Sequence, residues 1–207
     1  TLTIPHKIAT ASRPEGMIIA SSHLFVANSA TDKISIYNSI SHTLEKELKV
    51  TMGPSAFVLD KYGNIWTACS GTDSTNSALV NIDINTTEVK TTISIPSGIH
   101  LNGRIAIDSA KSNLYFMSET WSDDYSFTSN VIFKQSVDEN SFRFKSILSR
   151  KNLSGIGIDP AGDYLFIADA AAFLTNGLIF IYNENGALLD SAVVDRGPRD
   201  FVFLKKN

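Results

Sequence analysis

The stretch 23–39, HLFVANSATDKISIYNS, decides the fold. An apolar run ends in small polar residues, passes through a polar loop and resumes as a second apolar run. The same grammar returns at 64–83 (NIWTACSGTDSTNSALVNID), at 113–136 (NLYFMSETWSDDYSFTSNVIFKQS) and at 164–183 (YLFIADAAAFLTNGLIFIYN). The runs are rich in Ile, Val, Phe and Tyr and are cut by Gly, Pro, Asn, Asp and Ser, which is the pattern of short strands. No long segment places apolar residues at i, i+3, i+4 and i+7, so helix signals are nearly absent.

Working outward from these stretches, each is flanked by two more strands. A first strand follows a Pro or Gly turn: RPEGMIIA (13–20), GPSAFVLD (53–60), LNGRIAID (101–108), LSGIGID (153–159) and GPRDFVFL (197–204). A fourth strand is more polar: TLEKELKV, EVKTTISI, FRFKSIL and LLDSAVV. Successive first strands lie roughly 40 to 52 residues apart, the period of four-stranded propeller blades. The first two strands of each repeat are almost wholly apolar, and the pattern predicts that neighbouring blades cover both their faces. The fourth carries Glu45, Lys46, Glu47 and Lys49 in one copy, charges that protect an outer edge. The expected fold class is therefore all-β: a β-propeller of four-stranded antiparallel blades, with a sandwich or barrel as the rival. Blades are expected at about 13–52, 53–100, 101–152 and 153–195. The stretch 1–12 reads as the last strand of an earlier blade, and 196–207 as the first strand of a later one. The chain is then a single propeller domain or the C-terminal part of one. A compact ring of four or five blades is the alternative.

Composition excludes several classes. The 207 residues are 43% hydrophobic and 19% charged, which is globular. A net charge of −3 and a pI near 5.8 offer nothing to nucleic acid or an anionic bilayer. One cysteine, Cys69, excludes an internal disulfide and any multi-cysteine zinc site. No apolar run approaches the roughly 20 residues that a membrane helix needs. No His-Glu-x-x-His, nucleophile elbow or complete dinucleotide fingerprint occurs.

The repeats LFVANSATDKISIYN, DKYGNIWTACSG, GIGIDPAGDYLFIADA, NGLIFIYNENGALL and GPRDFVFL resemble the YVTN-type surface-layer propellers. They are most similar to the exported surface lipoproteins of gut Bacteroidetes that include the vitamin B12-binding propeller. The resemblance spans nearly the whole chain, with Ala27 standing where the motif carries Thr. It implies a seven-bladed ring at the outer membrane, a targeting segment outside this chain, and a corrinoid or an outer-membrane transporter as partner. It assigns no ligand residue by position.

Loops that join second to third strands emerge on the same end as the loops between blades, and rigid blades hold such loops around a central depression. The expected loops are 28–33, 70–78, 119–130 and 170–177. Candidate ligand-binding residues on this end are Arg13, Asp32, Asp73, Trp121, Asp124, Tyr125, Asp169, Phe173, Arg196 and Arg199. Arginines and large aromatics are what binding hot spots favour. Two readings stay open for Trp121: covering the blade top, or touching a ligand. Arg13 and Arg199 also fit structural pairing with Glu15 and Asp200.

The leading expectation is a non-catalytic binding propeller with no catalytic residue, no catalytic cofactor and no metal centre. Cobalamin is the foremost ligand candidate, and structural calcium on loop carboxylates a further one. The enzyme rival is a lactonase or lyase with an axial metal, for which Asp60, Asp108 and Asp159 recur in register at the ends of first strands. Their place before KYGN and PAGD turns favours turn capping instead. A third reading is an adhesion or assembly scaffold.

Overall fold

The computed structural model describes residues 7–121, 127–143 and 145–204. These fold into four antiparallel sheets of four strands each. The first sheet comprises β1 (Pro14–Ala20), β2 (His23–Asn28), β3 (Lys33–Asn38) and β4 (Leu44–Lys49). The second comprises β5 (Pro54–Leu59), β6 (Ile65–Cys69), β7 (Ala78–Asp83) and β8 (Glu88–Ser94). The third comprises β9 (His100–Ile107), β10 (Asn113–Trp121), β11 (Phe127–Ser136) and β12 (Lys145–Arg150). The fourth comprises β13 (Leu153–Ile158), β14 (Leu165–Asp169), β15 (Gly177–Tyr182) and β16 (Leu188–Val194). Within each sheet the strands pair in chain order. One 3-10 turn, Ala171–Phe173, is the sole helical element among the described residues. The sheets are the blades of a propeller.

The hydrophobic core is divided among the interfaces between blades. Side chains alternate across a strand, so each blade offers one apolar face to its predecessor and one to its successor. Phe25, Ile34 and Ile36 of the first blade pack with Ile65, Val80 and Ile82 of the second. Trp66, Ala68 and Leu79, on the other face of the second blade, pack with Leu114, Phe116 and Phe133 of the third. Tyr115, Met117 and Ile132 then meet Ile156, Ile167 and Phe180 of the fourth. Each fully buried side chain of this size contributes about 1.5–3 kcal/mol of transfer free energy. The first strands follow one another in order, β1 beside β5, β5 beside β9 and β9 beside β13.

Burial runs highest along the second and third strands, where β6 is wholly buried and β7 nearly so. Cover of the first strands varies: β13 is almost wholly buried, while β1 and β5 are less covered than their apolar sequences imply. β5 is mostly half-buried, and β1 leaves Met17 and Ile19 about two-thirds exposed, at 68% and 66%. First strands run along the axis with their faces toward neighbouring blades, and Met17 and Ile19 lie on the face of β1 turned away from the second blade, against which Ile18 packs. The outer strands β4, β8 and β16 are largely exposed, as their charges require.

The stretch 198–204 forms no ladder but lies along β13, as each first strand lies along its predecessor. The Ser154 hydroxyl donates to the Pro198 carbonyl, and a Cβ at Gly155 would meet the Arg199 carbonyl oxygen at 2.4 Å. Phe201 and Phe203 stack on each other and cover Phe166, at ring separations of 5.9 and 5.2 Å. At the other end, the Tyr37 hydroxyl donates to the Ala9 carbonyl at 2.7 Å.

Candidate functional site

All four first strands begin with a bulge. Between Pro14 and Met17, three steps of β1 oppose two steps of β2, from Asn28 to Val26. The same count holds between Pro54 and Phe57 in β5 and between Leu153 and Ile156 in β13. In β9 the stretch is one residue longer, four steps from Leu101 to Ile105 against two in β10. Gly103 takes φ +80° there, a left-handed value that glycine adopts at little cost. The Asn102 amide fastens the bulge. Its Oδ1 accepts from the Arg104 N–H at 3.2 Å, and its Nδ2 donates to Glu119 at 3.3 Å. Bulges bend a strand and re-aim its side chains, and here they turn polar residues toward the axis.

The result is a polar depression at the axial mouth, of about 300 Å³, lined among others by Arg13, Glu15, Ser55, Asn102 and Glu119. It continues along the first strands into a second space of about 610 Å³, where Glu15 and Ser55 are joined by Arg104, Arg199 and Asp200. Arg13 pairs with Glu15 at 3.5 Å, and the Ser55 hydroxyl donates to the same carboxylate at 2.9 Å. Such an exposed pair orients the carboxylate and adds little stability. Residues from three blades and from the 198–204 segment therefore share one axial channel.

Of the residues expected at the site from sequence, Arg13 and Arg199 reach this channel. Asp32 lies elsewhere, in a groove between the first two blades with Lys49 at 3.6 Å, Thr72, Thr75 and Asn76. Asp73 is exposed in the 70–77 loop of that region. The Asp169 carboxylate accepts from the Ala171 N–H at 2.7 Å at the start of the 3-10 turn, and the half-exposed Phe173 sits against Gly197. Arg196 is exposed beside them. The long loop expected over 119–130 is much shorter, because the β10–β11 ladder continues to Trp121 opposite Phe127. Trp121 thus belongs to a strand, and Asp124 and Tyr125 lie outside the described residues. Ser55, Asn102 and Arg104 were not anticipated. For Asn102 and Arg104 the signal is one surplus residue in LNGRIAID, legible only once the repeats are in register.

The recurring aspartates act as turn acceptors. Asp60 is 3% exposed; it takes the Tyr62 and Asn64 N–H groups and the Trp66 indole N–H, each at 2.9 Å. Asp108 accepts from the Ser112 and Asn113 N–H groups, and Asp159 from Ala161 N–H. Cys69 is fully buried, and burial pushes its thiol up to about 12. Among the described residues no group of three or more His, Cys, Asp or Glu side chains is placed to hold a metal ion. No helix among them is long and apolar enough to cross a membrane.

Comparison with known proteins agrees with this architecture. A hydrazine synthase of Kuenenia stuttgartiensis superimposes with a TM-score of 0.70 at 18% identity, over 93% of this chain and 57% of that one. A gluconolactonase of Xanthomonas campestris gives 0.62 at 10% identity, over 93% and 66%. An oligogalacturonate lyase of Vibrio parahaemolyticus gives 0.60 at 10% identity, over 86% and 52%. At such identities the likeness is one of fold, and the chain spans between half and two-thirds of those structures. No curated protein matches the chain in sequence. A family model does match it, over residues 1–196, and the chain belongs to that family, the domain of unknown function DUF5074.

Proposed function

We propose that the protein is a non-catalytic binding propeller whose ligand seats at the axial mouth. The observation that supports it is the convergence of Arg13, Glu15, Ser55, Asn102 and Glu119, from three blades, on one depression. Rigid sheets hold these groups before a ligand arrives, which lowers the entropy lost on binding. The ring is completed by blades beyond these four. Met17 and Ile19, apolar and exposed on β1, are what a preceding blade would cover, and the seven-bladed count follows the surface-layer resemblance. The same resemblance favours an exported protein of the bacterial outer membrane, a corrinoid ligand and a transporter partner. Titration of the purified protein with cobalamin at micromolar concentration tests this. Heat and a shift of the cobalamin absorbance are expected; the absence of both would sink the corrinoid version.

The second reading is an enzyme with an axial metal, and the structural likeness to proteins named gluconolactonase and oligogalacturonate lyase favours it. Its donors would come from Glu15 and Glu119 together with groups on further blades. Metal analysis of purified full-length protein separates the two readings, since stoichiometric calcium, manganese or zinc would support the enzyme.

A further inference from the structure

Two arginines break the repeat at the axis. Counted from the strand pairing, Glu15, Ser55 and Ser154 occupy equivalent positions one residue after the bulge begins. By the match of GPRDFVFL to GPSAFVLD, Arg199 stands in that same position. Arg104 immediately precedes Ile105, where the other strands carry Gly16, Ala56 and Gly155. Those small residues lie where blades approach closely. A Cβ at Gly16 would meet the Ser55 carbonyl oxygen at 2.1 Å, and one at Gly155 the Arg199 carbonyl oxygen at 2.4 Å. An arginine is admitted at this crowded level because β9 carries its extra bulge residue. Packing gives no reason for the substitution, since Ala or Gly would fill the position.

Both arginines line the same 610 Å³ space. Among the described residues neither has a carboxylate within ion-pair distance. Two acids line the same space but bond other groups: Glu15 holds Arg13 and Ser55, and Asp200 accepts from the Phe201 N–H at 2.9 Å. Guanidinium groups present a planar fork matched to oxyanions. We infer that Arg104 and Arg199 form an oxyanion seat in the axial channel, which takes the carboxylate or phosphate of a small acidic ligand. The Ser55 hydroxyl lies in the same space as a further polar group. This rests on the binding reading above and specifies its ligand class.

The test is isothermal titration of the full chain at low salt with inorganic phosphate, with glucuronate, and with glucose as the neutral control. Binding of phosphate or glucuronate, but not glucose, is expected, and the stronger of the two identifies the headgroup. Arg104→Gln and Arg199→Gln are each expected to weaken that binding by roughly 10- to 100-fold, as loss of a hydrogen bond to a charged group does. Lys90→Gln, outside the channel, should leave it unchanged. Matched thermal melts show that the variants are folded, and Arg104→Lys serves if Arg104→Gln is not. No binding of either anion, or binding indifferent to both channel arginines, overturns the inference. Cobalamin binding without anion binding would remove this ligand class alone; anion binding without cobalamin binding would remove the corrinoid alone.

Discussion

Replacing Asp60 by alanine should destabilise the protein far more than the same change at Asp159, although both end a first strand in the same register. Asp60 is buried and accepts four hydrogen bonds. Two are turn N–H groups at 2.9 Å, one is the Trp66 indole at 2.9 Å, and one is the Asn81 amide at 3.4 Å. Trp66 is itself 2% exposed, so its N–H would lose its partner inside the core. A buried donor left unsatisfied costs about 1–3 kcal/mol, and each uncapped turn N–H adds about 0.5–1 kcal/mol. Release of a buried carboxylate offsets part of this, leaving about 3 kcal/mol. For a chain of this length that lowers Tm by roughly 6–12 °C. At Asp159 one exposed turn N–H is lost, which costs about 0.5–1 kcal/mol, or roughly 1–4 °C. Thermal melts followed by near-UV circular dichroism, which reports on Trp66, measure both. If the two variants melt together, or Asp60→Ala stays within about 2 °C of the parent, Asp60 is not the buried acceptor described here. A chelator that shifted the parent melt by several degrees would point instead to a metal on these carboxylates.

Three further outcomes are expected. Gly155→Ala places a Cβ against the Arg199 carbonyl, so 198–204 should detach from β13 and be cut faster by trypsin after Arg199; an unchanged cleavage rate would show that this segment is not seated as described. Cys69, with its thiol raised by burial to about 12, should resist a thiol reagent at pH 8 in the folded state and react fully in denaturant, because the thiolate is the nucleophile. The Lys61 ammonium and the Tyr62 hydroxyl hold the Asp138 carboxyl below its usual value. A depressed folded pKa favours the folded state above the unfolded carboxyl pKa, and that advantage fades as pH falls through the lower folded value. Carbon NMR titration of Asp138 should show the depression, and Lys61→Met should return it toward the ordinary range.

Much of the architecture was legible because strands write a period of two and blades a period of some forty to fifty residues. The motif LFVANSATDKISIYN marked β2 and β3 to within one residue at each end, and the charged fourth strands marked the outer edge. The axial channel was not legible. Glu15, Ser55, Asn102 and Arg104 lie in the recurring first-strand segments, up to 89 positions apart, but they differ in residue type and charge, so the repeat does not mark them as a set. They meet because successive blades turn about one axis and because each first strand starts with a bulge. Trp121 misled for a related reason: SETWSDDYSFTSN reads as a loop, yet the ladder of β10 and β11 extends along its polar residues. Backbone hydrogen bonds carry a hairpin past the point where apolar side chains stop.

The sequence by itself determined which segments become strands, how they group into blades and which blade edges face water, since those depend on side-chain patterns local to each segment. The tertiary structure decided which polar groups share the axis and how Arg104 reaches it. That depends on one surplus residue in β9, whose effect exists only once β10, β5 and the 198–204 segment are packed beside it.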